Sequence, residues 1–127
     1  MTRVFDSSAL LAAIFNEPGG DVVAGLWAEG DNQVSSVNYA EVVSKLSKRG
    51  MPDADIITMM EGVPLTLVAF DQATAHACGL LCASTRHLGL SLGDRACIAL
   101  AQSREATVVT ADQQWAKVLE LELRLVR

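Results

Sequence analysis

Short runs of β-branched and apolar residues alternate along the chain with longer segments whose apolar positions recur at helical spacing. Residues 2–6 (TRVFD), 33–36 (QVSS), 64–70 (PLTLVAF), 107–110 (TVVT) and 123–126 read as strands. Between them the pattern predicts helices from Ala9 to Asn16, over 21–29, from Tyr39 to Lys48, over 54–61, from an Asp71 cap to Thr85, over 90–103, and over 113–121 (QQWAKVLEL). Punctuation agrees with these boundaries. Asp6-Ser7-Ser8 offers helix caps, Pro18-Gly19-Gly20, Gly50 and Gly62 stop helices, and Gly30-Asp31-Asn32 reads as a turn. Strands that alternate with helices predict an α/β fold with a central, mainly parallel sheet of four to five strands, covered on both faces.

The segment Leu90–Ala101 (LSLGDRACIALA) dominates this pattern. Leu92, Ala96, Cys97, Ile98, Ala99, Leu100 and Ala101 leave it almost no polar face, which predicts a central, buried helix. Its first turn nevertheless carries Asp94. Positions 94, 97, 98 and 101 share one face, so a carboxylate heads an apolar stripe. A carboxylate so placed needs a cation, hydrogen-bond donors or a raised pKa.

Composition narrows the possibilities. The 127 residues suffice for one domain, 1–127, with a substantial core. Half are hydrophobic and 20% are charged, a globular profile. No apolar run approaches the ~18 residues of a membrane span, and residues 1–15 lack a basic leader and cleavage pattern, so a cytoplasmic location and no membrane partner are expected. Cys78, Cys82 and Cys97 make an odd set. With His76 and His87 they fit no compact zinc spacing and read as small core residues. The net charge of −5 argues against a general nucleic-acid binder. It does not exclude a nuclease, because two divalent cations would offset four of those negative charges.

The acids supply the candidate chemistry. Asp6 closes the first strand, Glu41 lies early in the helix after QVSS, Asp94 heads the central helix, and Asp112 follows TVVT by two residues. In a parallel α/β sheet all four fall near the strand ends where ligands gather. Asn38 precedes Glu41 by three, and Ser7 and Thr110 are hydroxyls beside Asp6 and Asp112. Each acid also has a purely structural account. Asp6 and Asp112 could cap helices, Asp94 could form a capping box with Ser91, and Glu41 could favour the positive end of its helix. Four separate caps have no reason to converge, however. Converging oxygen donors without a fixed His or Cys suit Mg²⁺ or Mn²⁺.

At these residues the chain resembles the PIN-domain ribonucleases, and among them the VapC toxins of bacterial toxin–antitoxin pairs. The resemblance is carried by VFDSSALLA (4–12), SSVNYAEVVSKL (35–46), LSLGDRACIALA (90–101) and VVTAD (108–112), in the family's order and across nearly the whole chain. Asp6, Glu41, Asp94 and the more variable Asp112 match the family's four acids, and Thr110 matches the hydroxyl that commonly precedes the fourth. The resemblance implies a PIN-like α/β/α sandwich. It also implies Mg²⁺- or Mn²⁺-dependent RNA cleavage, a homodimer, and a cognate VapB-like antitoxin that blocks the site.

On this expectation Asp6, Glu41 and Asp94 are the main metal-site acids, and Asp112 binds a second ion directly or through water. Thr110, Ser7 and Asn38 orient ligands or waters behind them. Arg95 and Arg86 are candidate contacts for RNA phosphate or an antitoxin, beside a plain reading as solvated surface charges. Lys45, one turn beyond Glu41, could pair with that acid or with substrate. Two other classes remain open: a PIN-like nuclease with a housekeeping RNA or DNA substrate and no antitoxin, and a non-catalytic module with an acidic pocket.

Overall fold

In a computed structural model that describes residues 1–118 and 121–127, five strands form one sheet in the order β3-β2-β1-β4-β5, and every neighbouring pair is parallel. The strands are β1 (Thr2–Phe5), β2 (Asp31–Ser35), β3 (Thr66–Val68), β4 (Thr107–Thr110) and β5 (Leu123–Leu125). Six helices connect and cover them: α1 (Ser7–Ile14), α2 (Gly20–Leu26), α3 (Ser36–Lys48), α4 (Asp53–Glu61), α5 (Gln72–Ser84) and α6 (Leu92–Arg104). The expected α/β/α sandwich with a parallel sheet is what forms.

The central strands show why both faces must be covered. Successive side chains of a strand point to opposite faces. Phe5 and Val109 accordingly join a core with residues of α1, α3 and α4, while Val4 and Val108 join a second core with Cys97, Ile98, Leu100 and Ala101 of α6. All four of these strand residues are fully buried. Each such side chain contributes about 1.5–3 kcal/mol on burial. The small residues Ala96, Cys97, Ala99 and Ala101 let α6 lie close against the sheet and α5, and all four are buried. Leu92, expected to be apolar filling, is 57% exposed, because it occupies the first helical position on the open side.

Other departures from the sequence pattern are local. Only Gly30 turns, with φ +86; Asp31 and Asn32 already belong to β2, where backbone pairing with β1 outweighs their weak strand preference. Helices α1 and α3 begin earlier than predicted, because Asp6 and Ser35 act as the caps. The stretch 64–70 keeps only Thr66–Val68 in the ladder, paired with β2. The helix expected over 113–121 is instead a 3-10 turn, Gln113–Lys117, that seats the fully buried Trp115. Part of that expectation, residues 119 and 120, lies outside the described residues. Cys78 and Cys97 are buried as expected of core residues, whereas Cys82 is exposed. Met60 is core, and Met59 faces outward at 36% exposure. Among the described residues no helix is long and apolar enough to cross a membrane.

Candidate active site

The parallel sheet sends β1, β2 and β4 out at one edge, and the acids follow from what happens there. Asp6 is the first residue after β1. It leaves the strand with its N–H bonded to Val109 O (3.1 Å) and caps α1 by accepting from Ala9 N (2.8 Å). It is only 2% exposed. Ser8 Oγ donates to its carboxylate at 2.8–2.9 Å, and Thr110 Oγ1, at the end of β4, donates to Oδ2. Despite these donors its pKa is raised to about 6. Burial is the chief cause, and the negative charge of Asp94 adds to it.

Glu41 comes from the second turn of α3. Its Oε1 accepts from Ser7 Oγ (3.2 Å), the residue next to Asp6, and from Asn38 Nδ2 (2.9 Å). The same Asn38 amide donates to Gly93 O (3.0 Å), next to Asp94. Asn38 thus clasps α3 to the start of α6, and its Oδ1 is buried without a hydrogen-bond partner among the described residues. Gly93 is small for a reason: a Cβ there would fall inside the Glu41 carboxylate.

Asp94 forms the capping box anticipated with Ser91. Ser91 N donates to its Oδ2 (3.0 Å), and Asp94 N donates to Ser91 Oγ (3.1 Å). Its structural role and its place among the acids therefore coexist. Asp112 caps the 3-10 turn through Gln114 N (2.9 Å), and its own N–H donates to Thr110 Oγ1 (3.0 Å). Thr110 is the hinge between Asp112 and Asp6.

Hydrogen bonds tie three of these acids into one neighbourhood: Ser7, next to Asp6, donates to Glu41, and Asn38 joins Glu41 to Gly93, next to Asp94. The Cys97 thiol is fully buried in α6, one turn below Asp94. Burial pushes its pKa well above the usual thiol value, and the charges of Asp6, Asp94 and Glu41 push it the same way. Asp112 is tied to Asp6 through Thr110.

Other expected contacts separate. Arg95 turns away from the acids to donate to Cys78 O on α5 (3.2 Å), so it braces two helices. Arg86 is exposed in a short 3-10 turn, Arg86–Leu88. Lys45 is exposed and makes no ion pair with Glu41; among the described residues the one ion pair is Arg127 with Glu17 (4.0 Å). Ser8 was not singled out in the sequence, although it touches both Asp6 oxygens and also accepts from Ala111 N (3.0 Å). The signal lay in its position two residues after a capping acid. A cleft of about 520 Å³ between α5 and the 3-10 turn at Trp115 includes none of the four acids.

The donor set can be tested against a cation. Among the described residues no three His, Cys, Asp or Glu side chains stand in an arrangement that could hold a metal ion as they are. The chemistry of the donors does fit a hard divalent ion. They are oxygens only, burial raises the Asp6 pKa, and among the described residues no Lys or Arg forms an ion pair with them and the buried Asn38 Oδ1 has no hydrogen-bond partner. Glu41 Oε2 and Asp94 Oδ1 accept no hydrogen bond among the described residues, so each has an oxygen to offer.

The PIN-domain family model matches residues 3–121. The chain belongs to the PIN-domain family. Solved structures with this PIN fold include a chain of DNA-bound VapBC from Salmonella typhimurium, at TM-score 0.81 and 17% identity, covering 100% of this chain and 99% of the other. A chain of VapBC2 from Rickettsia felis, bound to a DNA fragment from its promoter, aligns at TM-score 0.79 and 18% identity over 98% of each chain. VapC20 of Mycobacterium tuberculosis, a sarcin-ricin loop cleaving toxin, aligns at TM-score 0.73 and 12% identity, covering 94% of this PIN domain and 98% of that chain. No curated protein matches the sequence significantly.

Proposed function

We propose that this PIN domain is a VapC-like endoribonuclease toxin of the cytoplasm. In this reading it hydrolyses RNA phosphodiester bonds with Mg²⁺ or Mn²⁺, works as a homodimer, and is held inactive by a VapB-like antitoxin. The observation that carries the reading is the hydrogen-bonded chain that links three acids from three elements: Ser7, next to Asp6, donates to Glu41, and Asn38 joins Glu41 to Gly93, next to Asp94, with no ion pair to any of the three acids among the described residues. Membership of the PIN family, and a fold shared with chains of VapBC complexes, support the toxin assignment. Leu80 and Leu92, 79% and 57% exposed on α5 and α6, are apolar surface suited to a protein neighbour.

Asp6, Glu41 and Asp94 would hold the ion, and Asp112 would reach a second one directly or through water. A divalent ion bound there supplies positive charge for the attacking water and the scissile phosphate. The chain's own residues do the rest. Thr110 and Ser8 fix the Asp6 carboxylate from two sides, and Asn38 and Ser7 fix Glu41. The Ser91 N–H holds Asp94 at the head of α6, where the positive end of the helix favours an anion.

The test is cleavage of cellular RNA by purified protein with Mg²⁺ or Mn²⁺, beside Asp6→Asn and an EDTA control. Cleavage lost in both controls, with the variant still folded, is expected. Asp6→Asn cleaving at the wild-type rate would end the proposal. Cleavage that a co-expressed neighbouring-gene product does not suppress would point to a housekeeping nuclease instead.

A further inference from the structure

A second cleft, about 230 Å³, opens beside the acids between α1 and α3. Ser8, which hydrogen-bonds Asp6, lines it together with Lys45, Arg49 and Arg127, against a single acid, Glu17. Lys45 on α3 and Arg49 at its C-cap follow Glu41 at i+4 and i+8, so all three lie along one side of the helix. Each step is about 6 Å along the helix axis. That is comparable with the step between neighbouring phosphates of an extended single strand. Arg49 is held by the Phe15 ring, with its guanidinium carbon 3.8 Å from the ring centroid. Lys45 has no carboxylate partner among the described residues, and Arg127 pairs with Glu17 only at 4.0 Å. In a chain of net charge −5, three cations lining one cleft beside the acidic site are a local reversal of sign.

We infer that this cleft is the track for the RNA backbone as it leaves the acids, with Lys45 and Arg49 each contacting one phosphate and Arg127 closing the far end. The inference rests on the ribonuclease reading and adds to it the direction in which substrate lies. A row of cations that runs along α3 from a candidate metal-site acid, Glu41, suits a polyanion of regular repeat. An acidic peptide has no such regular spacing.

Binding of a fluorescein-labelled, mixed-sequence single-stranded RNA tests it, measured by anisotropy from low to moderate salt with Ca²⁺ present. The proteins are wild type, Arg104→Gln, Lys45→Gln/Arg49→Gln and Arg127→Gln. The double variant should bind roughly tenfold more weakly, and its log–log salt slope should fall by about 1.4, or about 0.7 for each lost phosphate contact. Arg127→Gln should lose about half as much, and Arg104→Gln, which removes an exposed cation at the C-terminal end of α6 outside the cleft, should keep the wild-type salt slope. A double variant with wild-type affinity and slope overturns the track, even if RNA cleavage with Mg²⁺ still depends on Asp6; in that case the nuclease reading stands alone. A wild type that neither binds nor cleaves RNA overturns both. Binding of a poly-glutamate peptide in place of RNA, lost in the double variant, overturns the track in favour of a protein-docking cleft.

Discussion

Thr110 donates its hydroxyl hydrogen to the carboxylate of Asp6, joining the end of β4 to the end of β1 across 104 residues. Both partners are buried. Replacing Thr110 with Val keeps the shape and removes the donor, leaving a buried carboxylate short of one hydrogen bond. The cost should be about 1–3 kcal/mol at neutral pH, and the Asp6 pKa should rise further. Thr110→Ser should restore most of both. Chemical denaturation at pH 7 and NMR titration of the Asp6 carboxyl would read these effects. A Val variant as stable as wild type, with an unchanged titration, would show that the hydrogen bond carries little.

The raised Asp6 pKa makes a signed prediction about pH. The folded value is about 6, and an unfolded Asp titrates near 3.9. The folded state therefore holds the Asp6 proton more tightly than the unfolded state does. Through this group the metal-free fold should lose stability as pH rises from about 4 through 6 and level off above that. The full span is at most about 3 kcal/mol. Divalent cation at neutral pH should return much of it, because the ion favours the charged form. Asp6→Asn keeps a capping side chain and should abolish this part of the slope. Denaturant midpoints between pH 4.5 and 8, in EDTA and then in Mn²⁺, would test this. Parallel profiles for wild type and Asp6→Asn would refute it.

These relationships explain which features were legible in the sequence. The strand–helix alternation gave the parallel sheet, because Val4, Phe5, Val108 and Val109 must bury side chains on both faces. The acids were legible through their positions at strand ends and helix starts. Their roles as caps are realised, as Asp6 on α1 and Asp94 with its Ser91 box show. What the pattern could not show was which hydroxyl served which acid. Ser7 and Ser8 are adjacent, and only the helical turn after Asp6 sends Ser8 to Asp6 and Ser7 to Glu41. Arg95 illustrates the converse. Its position after Asp94 suggested a ligand contact, but packing of α5 on α6 turns it to the Cys78 carbonyl. The helix expected over 113–121 followed the right period, yet burying Trp115 within a 3-10 turn took precedence.

Asn38 should be a positioning residue whose loss is felt at Glu41. Its amide donates both to Glu41 Oε1 and to Gly93 O, so Asn38→Ala releases the carboxylate and unfastens α3 from the start of α6. A loss of about 1–3 kcal/mol in stability is expected. Affinity for Mn²⁺, followed by calorimetry on folded protein, should fall about tenfold or more, the size found when groups behind a metal ligand are removed. Asn38→Gln, with a longer amide, should not restore it. An Ala variant that unfolds more easily but binds Mn²⁺ as wild type does would reduce Asn38 to a packing residue.

Gly93 gives the sharpest separation of fold from site. It lies in the first turn of α6 with ordinary helical backbone, so Ala should favour the helix by up to about 1 kcal/mol. The added methyl, however, would occupy the space of the Glu41 carboxylate. Glu41 must then swing away and leave Asn38 and Ser7 without their acceptor. The two effects oppose each other in stability and act together against the site. Gly93→Ala should therefore unfold within about 1 kcal/mol of wild type while its Mn²⁺ affinity and RNA cleavage fall at least tenfold. Its residual activity should resemble that of Glu41→Gln, and the double variant should be no worse than either single one, because both remove the same carboxylate from the same place. Additive losses in the double variant would mean that Gly93 serves the site by some route other than making room for Glu41.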